Sequence, residues 1–401
     1  MADARTSATS PGITVGIDAV GLGRGGGQTH LRELLSGGAP AEHGIHRVVV
    51  WLGARMVFSF EAPWLEIRRI PDMDAPVRRV FLWQKRLGVN EAWAAQCDVL
   101  FVPLGYYLGG FHPFVTLFQN LLPFSPAERR RYGVTPMRLR LHLLEWLHRR
   151  SYPRADGLIF LTHAAQQAVQ NRMKMNFPHT AIVPHGIAPR FFRAPARQPD
   201  LTAFSAARPF RWLYVSTVDL YKHQWHVARA VAQLRGQGLP VTLELVGPAY
   251  PPALRRLDRT LHEVDPAREF IFYRRPLPYD QLPGVYHQAD GFVFASSCEN
   301  LPNILIEAMA AGLPIACSHH APVPEVLQDA GEYFDPEQPS DIAAALRRLM
   351  SDAARRQACA DGAYRLAGHY SWQRCSRDTF GFLAAVAREF SRRRRQMRVD
   401  R

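Results

Sequence analysis

The sequence predicts an α/β protein made of two Rossmann-like, doubly wound parallel-sheet units that face each other across a cleft. Three observations carry that reading. Short, nearly unbroken Val/Ile/Leu/Phe runs recur along the 401 residues, the pattern of strands covered on both faces. Helical stretches alternate with them, as βαβ units require. The alternation stops at a Pro/Ala/Arg-rich stretch without periodicity over 189–209 and then restarts.

In the first unit, ITVGID (13–18) runs into a glycine-rich turn and a helix over about 28–35. HRVVVWLG (46–53), CDVLFVP (97–103), FVTLFQN (114–120) and DGLIFLT (156–162) read as further strands, with a helix over about 136–150 before the last of them. TAIVPHG (180–186) closes the unit. In the second, the strands are FRWLYVST (210–217), VTLELVG (241–247), EFIFY (269–273), DGFVFAS (290–296) and PIACS (314–318). HQWHVARAVAQLRG (223–236), ALRRLDRTLHEV (253–264) and DIAAALRRLMS (341–351) are helices. The expected boundaries are 1–190, a linker over 191–209, 210–370, and a closing helix with a basic tail over 371–401 that returns to the first unit. Ligands of such sheets bind beyond the carboxyl ends of the strands, which places the site in the cleft.

Composition narrows the function. Hydrophobic residues make up 47% and charged ones 21%, ordinary for a globular chain. No apolar run approaches the roughly 18 residues of a membrane span, and MADARTSATSPG lacks the apolar segment of a secretory signal, so a cytoplasmic protein is expected. The 5 cysteines are scattered without CxxC spacing, which predicts free thiols rather than disulfides or a zinc site. Cys298 reads as a small filler at a strand end rather than a nucleophile. The formal charge of +14 favours an acidic partner, and arginines cluster over 127–154 and 391–398. No zinc-finger, RNP-type or basic-zipper pattern accompanies them, so nucleic acid is not the expected partner.

The turn GLGRGGGQTH (21–30) contains G-x-G-x-x-G at Gly21, Gly23 and Gly26. The next strand ends Trp51-Leu52-Gly53 without the acidic residue that holds a dinucleotide's ribose, which favours a phosphate or sugar loop, or a tight turn, over an NAD site. Asp72-Met73-Asp74 has the spacing of a divalent-cation site but lies between prolines and reads as a solvated loop. His163, His185, His223, His319 and His320 lack joint metal-ligand spacing. On the 136–150 helix, Leu139, Leu143, Trp146 and Leu147 form one stripe, read as core-facing. The other reading is a basic amphipathic face resting on an anionic membrane that carries a lipid-linked acceptor, with the Arg392–Arg395 run as a solvated tail or a second lipid contact.

The stretch SSCENLPNILIEAMAAGLP (296–314) is the most informative. Glu299 falls in the loop after a strand, and Glu307 on the helix that Pro302 opens and Gly312 with Pro314 ends. The helix dipole accounts for one carboxylate at most. A carboxylate can accept both hydrogen bonds of a vicinal diol such as a ribose, and free amides at a helix start can hold phosphates. A nucleotide-sugar fits that constellation.

The Glu299-x7-Glu307 spacing, followed by EAMAAGLPIACS and PEVLQDAGEYFDP, resembles the signature of glycosyltransferase family 4, retaining enzymes of the GT-B fold. GGGQTHLREL, IVPHGI, VSTVDLYKH and SWQRC match further family stretches in order. The resemblance implies transfer of a sugar from a nucleoside diphosphate donor to a glycan or lipid-linked acceptor, in cell-surface polysaccharide or lipopolysaccharide assembly, with no bound metal. It implies that Glu307 binds the ribose, Glu299 lies beside the transferred sugar, and the amides of Asn303 and Ile304 hold the diphosphate. Lys222 would neutralise the leaving group, and Gly26 and Gly27 would close on the phosphates. Two positions depart from the family. Thr217 stands where an arginine is usual, with Arg274 or Arg275 as substitutes, and Gln119-Asn120 stand where a histidine-aspartate pair is usual. Gln119 still donates and accepts hydrogen bonds but holds no proton at neutral pH. Those departures leave a non-catalytic sugar-nucleotide-binding relative as the first alternative, and an NAD-dependent oxidoreductase as the second.

Overall fold

Seven parallel strands form the first sheet in a computed structural model that describes residues 12–22, 26–53, 56, 58, 60–70, 77–86 and 90–400. They are β1 (Ile13–Ala19), β2 (Ile45–Gly53), β3 (Leu65–Ile70), β4 (Val99–Val102), β5 (Phe114–Leu117), β6 (Gly157–Phe160) and β7 (Thr180–Ile182), in the order β3-β2-β1-β4-β5-β6-β7. A second parallel sheet holds β8 (Phe210–Val215), β9 (Val241–Val246), β10 (Ile271–Arg274), β11 (Gly291–Phe294), β12 (Ile315–Ser318) and β13 (Glu332–Phe334), in the order β10-β9-β8-β11-β12-β13. The expected pair of doubly wound sheets is therefore observed. Gly23 and the Asp72-Met73-Asp74 triplet lie outside the described residues.

Central strands β1, β4, β5 and β6 are buried along their whole length, which is why their sequences are apolar without alternation. Helices cover both faces: α1 (Gly26–Ser36), α2 (Val77–Arg86), α3 (Ala92–Ala94), α4 (Pro126–Arg130), α5 (Pro136–Ser151) and α6 (His163–Met173) follow the strands of the first sheet. Around the second lie α7 (Gln224–Gly236), α8 (Pro251–Val264), α9 (Leu282–Tyr286), α10 (Asn303–Ala310), α11 (Val323–Leu327), α12 (Pro339–Ser351) and α13 (Ala353–Ala367). Some of the starts carry side-chain caps: Thr162 Oγ1 accepts from Ala165 N at 3.1 Å, and Asp352 Oδ1 from Arg355 N at 2.9 Å.

The final helix, α14 (Trp372–Val399), lies against α1 of the first unit, with Ser376 Oγ donating to the Leu34 carbonyl at 2.7 Å. Its entry crosses the outgoing chain at Gly186, where an added Cβ would fall 2.1 Å from Trp372 N. Only glycine fits there. Ile187 N donates to the Tyr370 carbonyl at 3.0 Å, fastening the two segments together.

One expectation fails on α5. Leu139, Leu143 and Trp146 are 72%, 45% and 48% exposed, and of that stripe Leu147 alone is buried. The helix instead buries Leu141, Glu145 and His148. Burial of Glu145 is offset by arginines: Arg129 pairs with one carboxylate oxygen, and Arg172 Nε donates to the other at 2.8 Å. Ion pairing thus turns a polar face inward and leaves the apolar stripe outside.

Asp18 ends β1 beneath the crevice, where its Oδ1 accepts from Trp83 Nε1 at 3.1 Å and Val20 N at 3.3 Å, tying α2 to the sheet. Burial pushes its carboxyl up to about 6 from 3.8, against the lowering effect of those hydrogen bonds. The protonated form is favoured on folding, so this contribution is full below the unfolded value and is lost as pH rises through the folded one. Asp18→Asn should therefore raise the melting temperature at pH 8 and leave it nearly unchanged at pH 4. Thermal melts across that range check this; a variant less stable at pH 8 would contradict it.

Candidate active site

Both sheets reverse direction beside their first strand, between β1 and β4 and between β8 and β11, and ligands bind at such switch points. The loops leaving β8 and β11 are laced together. Ser297 N donates to the Tyr221 carbonyl at 2.9 Å, and His223 Nε2 lies 2.9 Å from Ser297 Oγ. His223 adopts a left-handed conformation (φ 53°) at the start of α7, a local strain held by these contacts. The turn presents Lys222, only 6% exposed, whose ammonium pairs with the Glu299 carboxylate and lies 5.0 Å and 5.3 Å from the ring centroids of Tyr221 and Phe294.

Glu307 sits one turn into α10 and is 3% exposed. Tyr279 Oη donates to one of its oxygens at 3.1 Å and Tyr286 Oη to the other at 2.9 Å. Burial raises its carboxyl to about 7, although the tyrosine hydrogen bonds and the Arg190 charge act the other way. The two tyrosines were not found by the sequence reading; they come from elements remote in the chain and carry no spacing signal relative to Glu307. At the start of α10, Asn303 N donates to the Leu301 carbonyl at 3.0 Å, so that amide is occupied. Ile304 N–H has no partner among the described residues, leaving one free amide where two were expected.

From the first unit, an added Cβ on Gly26 would meet none of the described residues within 4 Å, while one on Gly27 would meet Leu22 at 3.2 Å and Gln119 Oε1 at 3.9 Å. Gln119 and Asn120 edge a hollow of about 350 Å³ bounded by Leu104, Arg140 and Leu143. Thr217 is exposed at the end of β8, its carbonyl accepting from Gln224 Nε2 at 2.9 Å. Arg274 lies on β10, the outer edge strand, and its Nε pairs with Glu244 at 2.8 Å. The structure thus brings Glu299, Lys222, Glu307 and Ile304 to one switch point, with Gln119 on the opposite wall, and leaves Arg274 two strands away.

The remaining candidates find structural settings. Cys298 is buried, which pushes its thiol well above the ordinary range and argues against a nucleophile. His185 stacks on Trp372 at 5.6 Å and lies 4.8 Å from His30, both imidazoles kept neutral by burial. Among the described residues no group of three or more His, Cys, Asp or Glu is placed to hold a metal ion.

The two units meet across the crevice. Asn300 Nδ2 donates to the Phe118 carbonyl at 2.8 Å, and Thr162 Oγ1 to the Asn300 carbonyl at 3.0 Å. Both Glu325 oxygens accept the first amides of α6, from His163 N and Ala164 N, each at 2.8 Å. Tyr132 Oη donates to Asp219 at 2.8 Å.

Two Rossmann-like sheets facing across such a crevice define the GT-B architecture. Residues 204–366 match the family model described as glycosyl transferases group 1. Over 110 residues the chain is 32% identical to O-antigen chain mannosyltransferase B of Escherichia coli, covering 27% of this chain and 29% of that one. It is 25% identical over 303 residues to a glycogen synthase of Mycobacterium tuberculosis, covering 74% of this chain and 70% of the relative. The chain therefore spans less than a third of the mannosyltransferase's length. Among solved structures, HepE of Anabaena in complex with UDP and glucose superposes with a TM-score of 0.62 at 14% identity, covering 96% of this chain and 100% of that one. WaaG, a glycosyltransferase involved in lipopolysaccharide biosynthesis, superposes with a TM-score of 0.66 at 16% identity, covering 92% and 99%.

Removing the lysine would leave a half-buried carboxylate without its partner, a loss of up to about 3 kcal/mol. Lys222→Ala should therefore lower stability sharply, and adding Glu299→Gln should restore part of it. Denaturant melts of the two single variants and the double variant check this; strictly additive losses would contradict the coupling.

Proposed function

We propose that the chain is a retaining glycosyltransferase that moves a sugar from a nucleoside diphosphate donor to a glycan or lipid-linked acceptor, in cell-surface polysaccharide or lipopolysaccharide assembly. The observation that carries this is the placement of Glu299, Lys222, Ile304 N–H and Glu307 around one switch point. The matching family model and the names of the relatives support it. On this reading Glu307 accepts the ribose diol, Ile304 N–H and Lys222 take up charge on the leaving diphosphate, and Glu299 turns to the sugar. The bond between the anomeric carbon and the diphosphate breaks as the acceptor oxygen bonds to the same face of that carbon. The acceptor's proton passes to the departing phosphate oxygen, so no side-chain base is required at Gln119. Charge stabilisation and positioning supply the rate, without a metal.

Supporting a membrane-borne acceptor, the exposed stripe of α5 is flanked by Arg138, Arg149 and Arg150, with the Arg150 guanidinium 4.9 Å from the Trp146 ring centroid. Its only carboxylate, Glu145, is buried in ion pairs. No helix among the described residues is long and apolar enough to cross a membrane. A peripheral contact with anionic lipid through this face fits that charge and apolar pattern.

Thermal-shift screening against UDP, GDP and ADP, and their sugars, should give stabilisation by one series. Donor turnover in the wild type should be lost in Glu299→Ala; no binding of any nucleotide sugar would sink the transferase reading. If the ionised Glu307 holds the ribose, nucleotide affinity should fall as pH drops below about 7 and become flat in Glu307→Gln, as calorimetry at pH 6 and 8 would read. Replacing Leu139, Leu143 and Trp146 together by serine should reduce co-sedimentation with phosphatidylglycerol vesicles and leave nucleotide binding unchanged.

A further inference from the structure

A second concave site lies where the linker crosses the far end of α10. Its hollow of about 190 Å³ is lined by Arg193, Arg197 and Arg208 of the linker and by Arg211 and Leu313 of the second unit. Three of the four guanidiniums are fixed to other residues of the wall. Arg193 Nη1 donates to the His287 carbonyl at 2.9 Å, the Arg208 guanidinium lies 5.5 Å from the Phe204 ring centroid, and Arg211 Nε pairs with Asp290 at 3.3 Å. The Arg197 guanidinium has no partner among the described residues, and that of Arg208 has no carboxylate or carbonyl partner among them. The linker is seated firmly on the helix end. Arg193 N donates to the Ala310 carbonyl at 2.9 Å, and an added Cβ on Gly312 (φ 68°) would fall 2.6 Å from the Arg193 carbonyl oxygen.

Arginines beside a helix end commonly meet free carbonyls, and Arg193 does so at Ala310 and His287. That role does not extend to Arg197 and Arg208. Among the described residues Asp290 is the one carboxylate of the lining, so four guanidiniums less that carboxylate leave three positive charges. Like charges gathered on a concave wall draw an anion, and planar guanidiniums match phosphate oxygens. A carboxylate brings one negative charge, whereas a phosphate monoester brings about 1.5 to 2 near neutral pH. Size narrows the ligand further. The hollow of about 190 Å³ is smaller than the roughly 300–1,000 Å³ of sites for drug-sized ligands, which excludes a second nucleotide sugar and leaves room for a phosphate with a few carbons. We propose that this hollow binds a small phosphate monoester, at a site separate from the crevice. The 8 residues of α10 make about 12 Å of helix, with Ile304 at its start and the hollow beyond its end. The phosphate reaches arginines of the linker and, through Arg211, of β8, so the ligand fastens one to the other.

Phosphate binding here is independent of the transferase reading. Titrating the full chain with glycerol 3-phosphate at constant ionic strength, read by calorimetry, should give saturable binding by the wild type. Arg197→Ala should lower the affinity about tenfold, and Arg197→Ala with Arg208→Ala about a hundredfold, one charge-assisted hydrogen bond for each arginine. Both side chains are exposed, so melting temperatures without ligand should match the wild type. Arg197→Ala, which breaks no contact among the described residues, carries the test if the double variant does not fold. Replacing Arg394 and Arg395 of the tail by alanine removes the same charge and should leave the affinity unchanged. The monoester can be a free metabolite or a lipid headgroup. Binding of glycerol 3-phosphate assigns the first; binding only to phosphatidylcholine vesicles containing phosphatidic acid, lost in the Arg197/Arg208 variant, assigns the second. Wild-type affinity in that variant, an equal loss in the tail variant, or no saturable binding of either probe would overturn the site. Each of these results leaves nucleotide-sugar binding, measured separately, as it stands.

Discussion

The ion pair between Lys222 and Glu299 is the contact on which the crevice wall is built. Two charges taken out of water are costly to the fold unless their surroundings fix them, and here the loops do so. Ser297 is bonded to the Tyr221 carbonyl and His223 to Ser297, so the turns after β8 and β11 behave as one body. The pair also sets a carboxylate against the lysine's charge within the crevice wall. On the reading proposed above, a diphosphate that took up the lysine's charge would free Glu299 to turn to the sugar.

Closure across the crevice has a different character. It depends on directional polar contacts: Glu325 on the amides of α6, Asn300 on Phe118, and Tyr132 on Asp219. Each of these groups can exchange its partner for water at a small net change in free energy, unlike the apolar cores beneath each sheet. These polar contacts fix the register in which the two units face each other, while the apolar cluster that runs through both units fixes their packing.

Much of this was legible in the sequence because parallel strands covered on both faces write themselves as apolar runs. β3 escaped because LEIRRI is an edge strand, partly exposed, with arginines interrupting the pattern. α5 misled because its inward face is polar and neutralised by Arg129 and Arg172, an arrangement that requires residues distant in sequence. The two glutamates of the 296–314 stretch stood out through spacing, whereas Tyr279, Tyr286 and Asn300 gain their significance only from what lies opposite them. Hydrogen-bond partners across a crevice leave no periodic trace.

The crossing at Gly186 and Trp372 has a mechanical consequence. The chain passes between the units twice, once outward after Ile187 and once back before α14, and the Ile187–Tyr370 hydrogen bond pins the two passages side by side. One connecting strand would permit the halves to twist as well as to bend. Two parallel tethers fastened at one point leave chiefly a swing about the line through them, like a door on a paired hinge. A lever of that kind brings the far loops back to the same register each time they meet.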